Sequence, residues 1–135
     1  YIKCIESIKN TSERNKLKFI STLLFNSFDS WIFCGFYFQD GDELFISEYS
    51  ADKIPCSPIQ LDGVCGTAIL KNQIQNIDDV NKFEGHIVCD EKSKSELCIP
   101  FEFSGIKYVL DVDSKIKKAF CKVDEEYLIK IIREI

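Results

Sequence analysis

The chain has 135 residues, 45% apolar and 29% charged, with a formal net charge of −5. That size and composition describe one domain whose core stands without disulfide staples, and they exclude a disordered chain. Basic residues are scattered singly and no apolar run nears the roughly 18 residues of a membrane span, so neither nucleic acid nor membrane is expected as the main partner.

Seven cysteines are present: Cys4, Cys34, Cys56, Cys65, Cys89, Cys98 and Cys121. The count is odd and no secretory signal is visible, which points to a reducing compartment, the cytoplasm. The chain opens on Tyr1 rather than Met, which leaves room for a preceding segment.

In chain order, residues 1–28 read as helical, with Leu17, Ile20, Leu24 and Phe28 near helical spacing and a break around Asn10-Thr11-Ser12. Ser12 is the expected cap of the second part, with Glu13 and Arg14 in its first turn. Trp31 to Phe38 is aromatic and strand-forming, Asp40-Gly41-Asp42 a hairpin turn, and Glu43 to Tyr49 the returning strand. Strict alternation places Trp31, Phe33, Gly35 and Tyr37 on one face. Residues 50–63 carry Pro55, Pro58 and Gly63 and read as loop with a short strand near Ile59.

Gly66 to Lys71 reads as a short helix closing near Asn72, and Gln75 to Ile77 as a brief strand. Residues 78–94 form a long polar segment of the length that serves as a functional loop or lid. Ser95 to Phe103 and Ile106 to Val112 pair around a turn at Ser104-Gly105. Asp124 is the expected cap of a last amphipathic helix burying Tyr127, Leu128, Ile131 and Ile132. Antiparallel hairpins between terminal helices make the class α+β.

The chemistry concentrates in two glycine-flanked cysteine turns, Gly63-Val64-Cys65-Gly66-Thr67-Ala68 and Gly85-His86-Ile87-Val88-Cys89-Asp90. Thiols in turns that meet in space can cycle between dithiol and disulfide. Cys65, just before a short helix, should have its pKa drawn downward by the helix N-terminus. Cys56, between prolines, should lie near the surface, whereas Cys34 and Cys98 sit inside apolar strands as core residues. His86 is three residues from Cys89, a spacing that need not join ring to sulfur on an extended loop. No C-x2-4-C knuckle exists, so no zinc site is expected. Asp111 and Asp113 share one strand face, and Glu96 on the neighbouring strand can join them. Three converging carboxyls suit a ligand ammonium group, or a sulfoxide oxygen if one carboxyl keeps its proton.

These motifs, with Asp79-Val80, Ser95-Glu96, Pro100 and Leu110-Asp111-Val112-Asp113-Ser114, resemble the free methionine-(R)-sulfoxide reductases, a GAF-domain family. The resemblance covers essentially the whole chain, and the paired cysteine motifs at this spacing are specific to it. It implies a single GAF domain over residues 1–135. The sheet would have about six antiparallel strands, with the N- and C-terminal helices on one face and a ligand pocket on the other. It implies thiol-dependent reduction of free methionine-(R)-sulfoxide, no bound cofactor, and an external dithiol such as thioredoxin as reductant. Cys89 matches the nucleophile that becomes a sulfenic acid; Cys56 is the favoured resolving thiol and Cys65 the alternative. Glu96, Asp111 and Asp113 match the acidic pocket and Tyr37 an aromatic pocket residue. Two features depart from the pattern. Phe33 stands where the family carries a pocket tryptophan, which leaves Trp31 and Phe33 as candidates for that wall, and the Cys56–Cys65 gap is one residue short. The resemblance leaves room for a homodimer, and the rival expectation is a non-catalytic GAF module sensing a small molecule or redox state.

Overall fold

The computed structural model describes residues 1–86 and 88–135; Ile87, within the second cysteine motif, lies outside the described residues. The elements are α1 (Ile2–Asn10), α2 (Lys16–Ser27), β1 (Trp31–Asp40), β2 (Glu43–Ala51), β3 (Ile59–Gln60), α3 (Val64–Lys71), β4 (Gln75–Ile77), a 3-10 turn (Val80–Lys82), β5 (Ser95–Phe103), β6 (Ile106–Ser114) and α4 (Lys122–Ile132). The strands form one six-stranded sheet in the order β3-β2-β1-β6-β5-β4. Every neighbouring pair is antiparallel.

Alternation along the central strands separates two apolar layers. Cys34, Phe36, Leu97, Ile99, Leu110 and Val112 face α1, α2 and α4, whose Ile8, Ile20, Leu24, Leu128 and Ile131 complete that core. Phe33, Tyr37, Cys98 and Val109 face the other way, against Val64, Cys65, Ala68 and Ile69 of α3. The terminal helices thus cover one face, and α3 with its flanking loops forms the wall of a pocket on the other.

Three local expectations shift. Asn15, not Ser12, caps α2, its side chain accepting from Lys18 N at 3.2 Å; Thr11 is taken up in a local turn, accepting from Glu13 N at 3.0 Å. Cys121 is the first cap of α4, and Asp124 acts from the third helical position, accepting from Cys121 N at 2.8 Å. A carboxylate at that position reaches back to the orphan N–H as a capping box does. On α4, Leu128 and Ile131 are fully buried, while Tyr127 and Ile132 pack half-buried at the edge.

The largest departure is at Trp31. Trp31 pairs with Ser114 and Phe33 with Asp113, so β1 carries one extra residue there. Such a bulge breaks the alternation. Trp31 turns to the helix side, stacked on Phe28 at 4.3 Å and tilted against Phe120 at 5.7 Å, and does not share a face with Phe33 and Tyr37. No helix among the described residues is long and apolar enough to cross a membrane.

Candidate active site

Strand register builds the pocket floor. Glu96 of β5 stands opposite Asp113 of β6, and Cys98 opposite Asp111, all four on the α3 face. Cys65, from the first turn of α3, comes down onto them. Its Sγ lies 3.4 Å from Cys98 Sγ and 3.9 Å from Glu96 Oε2. Cys98 Sγ lies 3.5 Å from Glu96 Oε2 and 3.4 Å from Asp111 Oδ1. Cys65, Glu96, Cys98 and Asp111 are all buried, and one donor atom from each lies within 4.8 Å of the others. Asp113 Oδ1 and Ser93 Oγ are buried without a hydrogen-bond partner among the described residues.

Packing acidic groups into a buried floor favours their neutral forms. Burial, then Asp111 and Asp113 beside it, push the Glu96 carboxyl well above the usual carboxylate range. Burial and Asp111 do the same to Asp113. Cys98 is raised by burial and by Cys65. For Cys65 the neighbouring Cys98 thiol pulls downward, but burial with Asp111 and Asp113 carries it up to about 12. The expected depression of Cys65 by a helix N-terminus is therefore overturned. The helix starts at Val64, so the sulfur is already inside the buried carboxyl cluster, where desolvation and like charge outweigh the terminal dipole.

The pocket mouth is made by two loops. Cys56 and Cys89 are joined as a disulfide with their Cα atoms 5.7 Å apart, and Cys89 lines the pocket. Tyr37 reaches from β1 and donates its hydroxyl to Cys56 O at 2.8 Å, tying the proline-flanked loop to the sheet. Gly85 has φ +86°, and a Cβ there would come within 2.6 Å of Asp62 O. The second cysteine turn therefore backs onto the first only because residue 85 is glycine. His86 Nε2 lies 3.7 Å from Glu96 Oε1. Burial lowers the His86 pKa, partly opposed by Asp111, so the ring is neutral at pH 7.

Of the sequence-derived site residues, Cys65, Cys89, Glu96, Asp111, Asp113, Tyr37 and Phe33 line this one pocket, and Cys56 is bonded to Cys89 at its edge. Trp31 is the exception, for the bulge described above; Ile32 takes the pocket-facing place beside Phe33. Two residues of the site escaped the sequence, Cys98 buried beneath the lining and Lys53 at the rim. Cys98 looked like core, yet it lies two residues from Glu96 on the same face, a signal alternation could have supplied. Lys53, half-exposed at the rim and 3.9 Å from Asp90, carried no local signal.

No family model matches the chain. It is 38% identical over 117 residues to the free methionine-R-sulfoxide reductase of Escherichia coli, covering 85% of this chain and 70% of that protein. It superposes on the reduced form of the fRMsr of Staphylococcus aureus with a TM-score of 0.90 at 33% identity, over 100% of this chain and 92% of that one. It superposes on the free methionine-R-sulfoxide reductase of Neisseria meningitidis in complex with its substrate with a TM-score of 0.86 at 28% identity, covering 98% and 81% of the two chains.

Proposed function

The chain belongs to the free methionine-R-sulfoxide reductase family, and we propose that it reduces free methionine-(R)-sulfoxide to methionine at this pocket. The fold is the GAF fold, and residues 1–135 act as a single GAF domain. One observation carries the proposal: Cys89, disulfide-bonded to Cys56, lines the same pocket as Glu96, Asp111 and Asp113.

The substrate ammonium lies against the carboxyl floor and the sulfoxide sulfur faces Cys89. Phe33 and Tyr37 supply the apolar wall for the side chain. Cys89 attacks the sulfoxide sulfur, and Glu96, whose carboxyl burial raises well above the usual range, gives its proton to the sulfoxide oxygen. The oxygen passes to Cys89, whose sulfur is oxidised by two electrons to a sulfenic acid as the substrate sulfur is reduced by two and methionine leaves. The Cys56 thiol then attacks Cys89 Sγ, the S–S bond forms and water departs. An external dithiol, of the thioredoxin kind, reduces the disulfide by exchange and closes the cycle. A reducing compartment such as the cytoplasm supplies that dithiol. Cys65 is buried with its thiol held neutral, so Cys56 rather than Cys65 is the resolving partner.

The test supplies free methionine-(R)-sulfoxide with dithiothreitol and measures methionine formed. Turnover of the R epimer, with none of the S epimer, is expected. Absence of turnover in the wild type leaves the non-catalytic module as the better reading.

A further inference from the structure

We propose that Cys65, Cys98, Glu96 and Asp111 form a binding site for one zinc-class cation at the floor of the pocket. Four edges of the cluster are close contacts: Cys65–Cys98 at 3.4 Å, Cys98–Glu96 at 3.5 Å, Cys98–Asp111 at 3.4 Å and Cys65–Glu96 at 3.9 Å. A tetrahedral zinc ion with sulfur ligands at about 2.3 Å and oxygen ligands at about 2.0 Å sets neighbouring ligand atoms about 3.3–3.8 Å apart. The cluster therefore needs only small side-chain rotations to close on an ion. The remaining edges fall within the 4.8 Å that encloses all four donor atoms.

Donor chemistry narrows the ion. Two thiols disfavour magnesium and calcium, which take oxygen ligands, and favour zinc, cadmium or cobalt in a tetrahedral site. The four residues are buried, so a bound ion would be shielded from bulk water on its protein side. Asp113, directly opposite Glu96, places in the same floor a buried Oδ1 without a hydrogen-bond partner among the described residues and offers a further oxygen. The two thiols, and the Glu96 carboxyl that burial favours in its neutral form, give up their protons to solvent on binding, so uptake releases about three protons per ion.

Knuckle spacing does not reveal this site because its ligands are not sequence neighbours across a turn. Glu96 and Cys98 are two apart on one strand face, Asp111 is the register partner of Cys98, and Cys65 arrives from α3. The expectation of no zinc site rested on Cys56, Cys65, Cys89 and His86. The cluster uses only Cys65 of those.

An ion seated here occupies the carboxyls assigned to the substrate ammonium, so it inhibits the reductase. That consequence rests on the function proposed above; the binding itself does not. The experiment uses the Cys56–Cys89 oxidised chain in a Cys121→Ser background, which removes the exposed thiol. Equilibrium dialysis against zinc should give one ion per chain, and cobalt should give a tetrahedral spectrum with a sulfur-to-cobalt charge-transfer band. Cys98→Val should weaken zinc binding at least tenfold and erase that band. Absence of the band in the parent chain, or zinc binding unchanged in Cys98→Val, overturns the site; the first needs no pocket variant to fold. With turnover established, zinc should abolish it and a chelator restore it; bound zinc without inhibition overturns the regulatory consequence alone. A chain that binds zinc but never turns over sulfoxide sinks the reductase instead.

Discussion

Glu96 and Asp113 face each other across β5 and β6 with both carboxyls directed into one pocket. Like charges directly opposite on antiparallel strands oppose folding, and here burial raises both groups well above the carboxylate range. The floor is an arrangement that folding alone would not favour, held in place by the aromatic and aliphatic layers on either side of the sheet.

The sign of the resulting pH dependence is definite. An unfolded Glu titrates at about 4.3, and Glu96 in the folded chain holds its proton to higher pH. The folded state therefore binds more protons, and stability present below about pH 4 is lost as pH rises through the folded value. Glu96→Gln, permanently neutral, should match the wild type in unfolding free energy at pH 4 and exceed it at pH 8 by on the order of 1–3 kcal/mol. The same substitution should lower kcat by about 10²–10⁴-fold, because the amide has no proton to give. A Tm difference independent of pH would refute the buried, protonated state of Glu96.

Trp31 and Phe33 should separate stability from binding. Trp31 is 5% exposed and stacked in the helix-side core, so Trp31→Ala should cost about 3–5 kcal/mol while leaving KM within about twofold. Phe33 lies in the pocket wall, stacked on Tyr49 at 6.2 Å. Phe33→Ala should raise KM about fivefold or more through lost aromatic contact. Denaturant melts and steady-state kinetics on both variants decide the matter; a raised KM in Trp31→Phe, the milder change, would return the tryptophan to the pocket.

Much of this was legible before the fold was known, for a physical reason. The two hairpins, turning at residues 41–42 and 104–105, impose period-two alternation, and that alone puts Asp111 and Asp113 on one face with Glu96 beside them. What escaped depended on irregularity or on contacts between distant segments. The bulge at Trp31 reverses one side chain without any local signature. Asn15 and Ser12 are equally good caps by residue type, and the helix starts at Lys16, which makes Asn15 the cap. The Cys65 thiol is raised by burial and by carboxyls 46 and 48 residues away at Asp111 and Asp113, which together outweigh the local helix end and the pull of Cys98. Lys53 reaches the pocket rim only because its loop folds against that of Asp90.

Lys53 is the one Lys or Arg among the described lining residues, and a free amino acid brings a carboxylate as well as an ammonium group. The Lys53–Asp90 pair is 3.9 Å long and the lysine side chain is 55% exposed, so the ammonium is free to turn toward a ligand. Solvent limits such a contact to about 1 kcal/mol, which corresponds to roughly fivefold in affinity. Lys53→Ala should raise KM by that factor with kcat kept. Parallel assays with the methionine sulfoxide amide, which lacks the carboxylate, should show no difference between wild type and variant; an equal loss on the amide would remove Lys53 as the carboxylate contact.

The two mouth cysteines should respond differently to substitution. Cys89→Ser should abolish turnover with any reductant, since the attacking sulfur is gone. Cys56→Ser should still form the sulfenic acid, and a small dithiol such as dithiothreitol can reach and reduce it directly. Thioredoxin-supported turnover should fall much further, because that reductant acts on a disulfide. Oxidation of the wild type by one equivalent of substrate should yield a Cys56–Cys89 linked peptide by mass spectrometry, and a Cys65–Cys89 peptide in its place would transfer the resolving role. Closing a 33-residue separation also constrains the unfolded chain by about 3–4 kcal/mol in the chain-entropy estimate. The oxidised enzyme should therefore melt higher than the reduced one, and Cys56→Ser should remove that difference while Cys65→Ala preserves it.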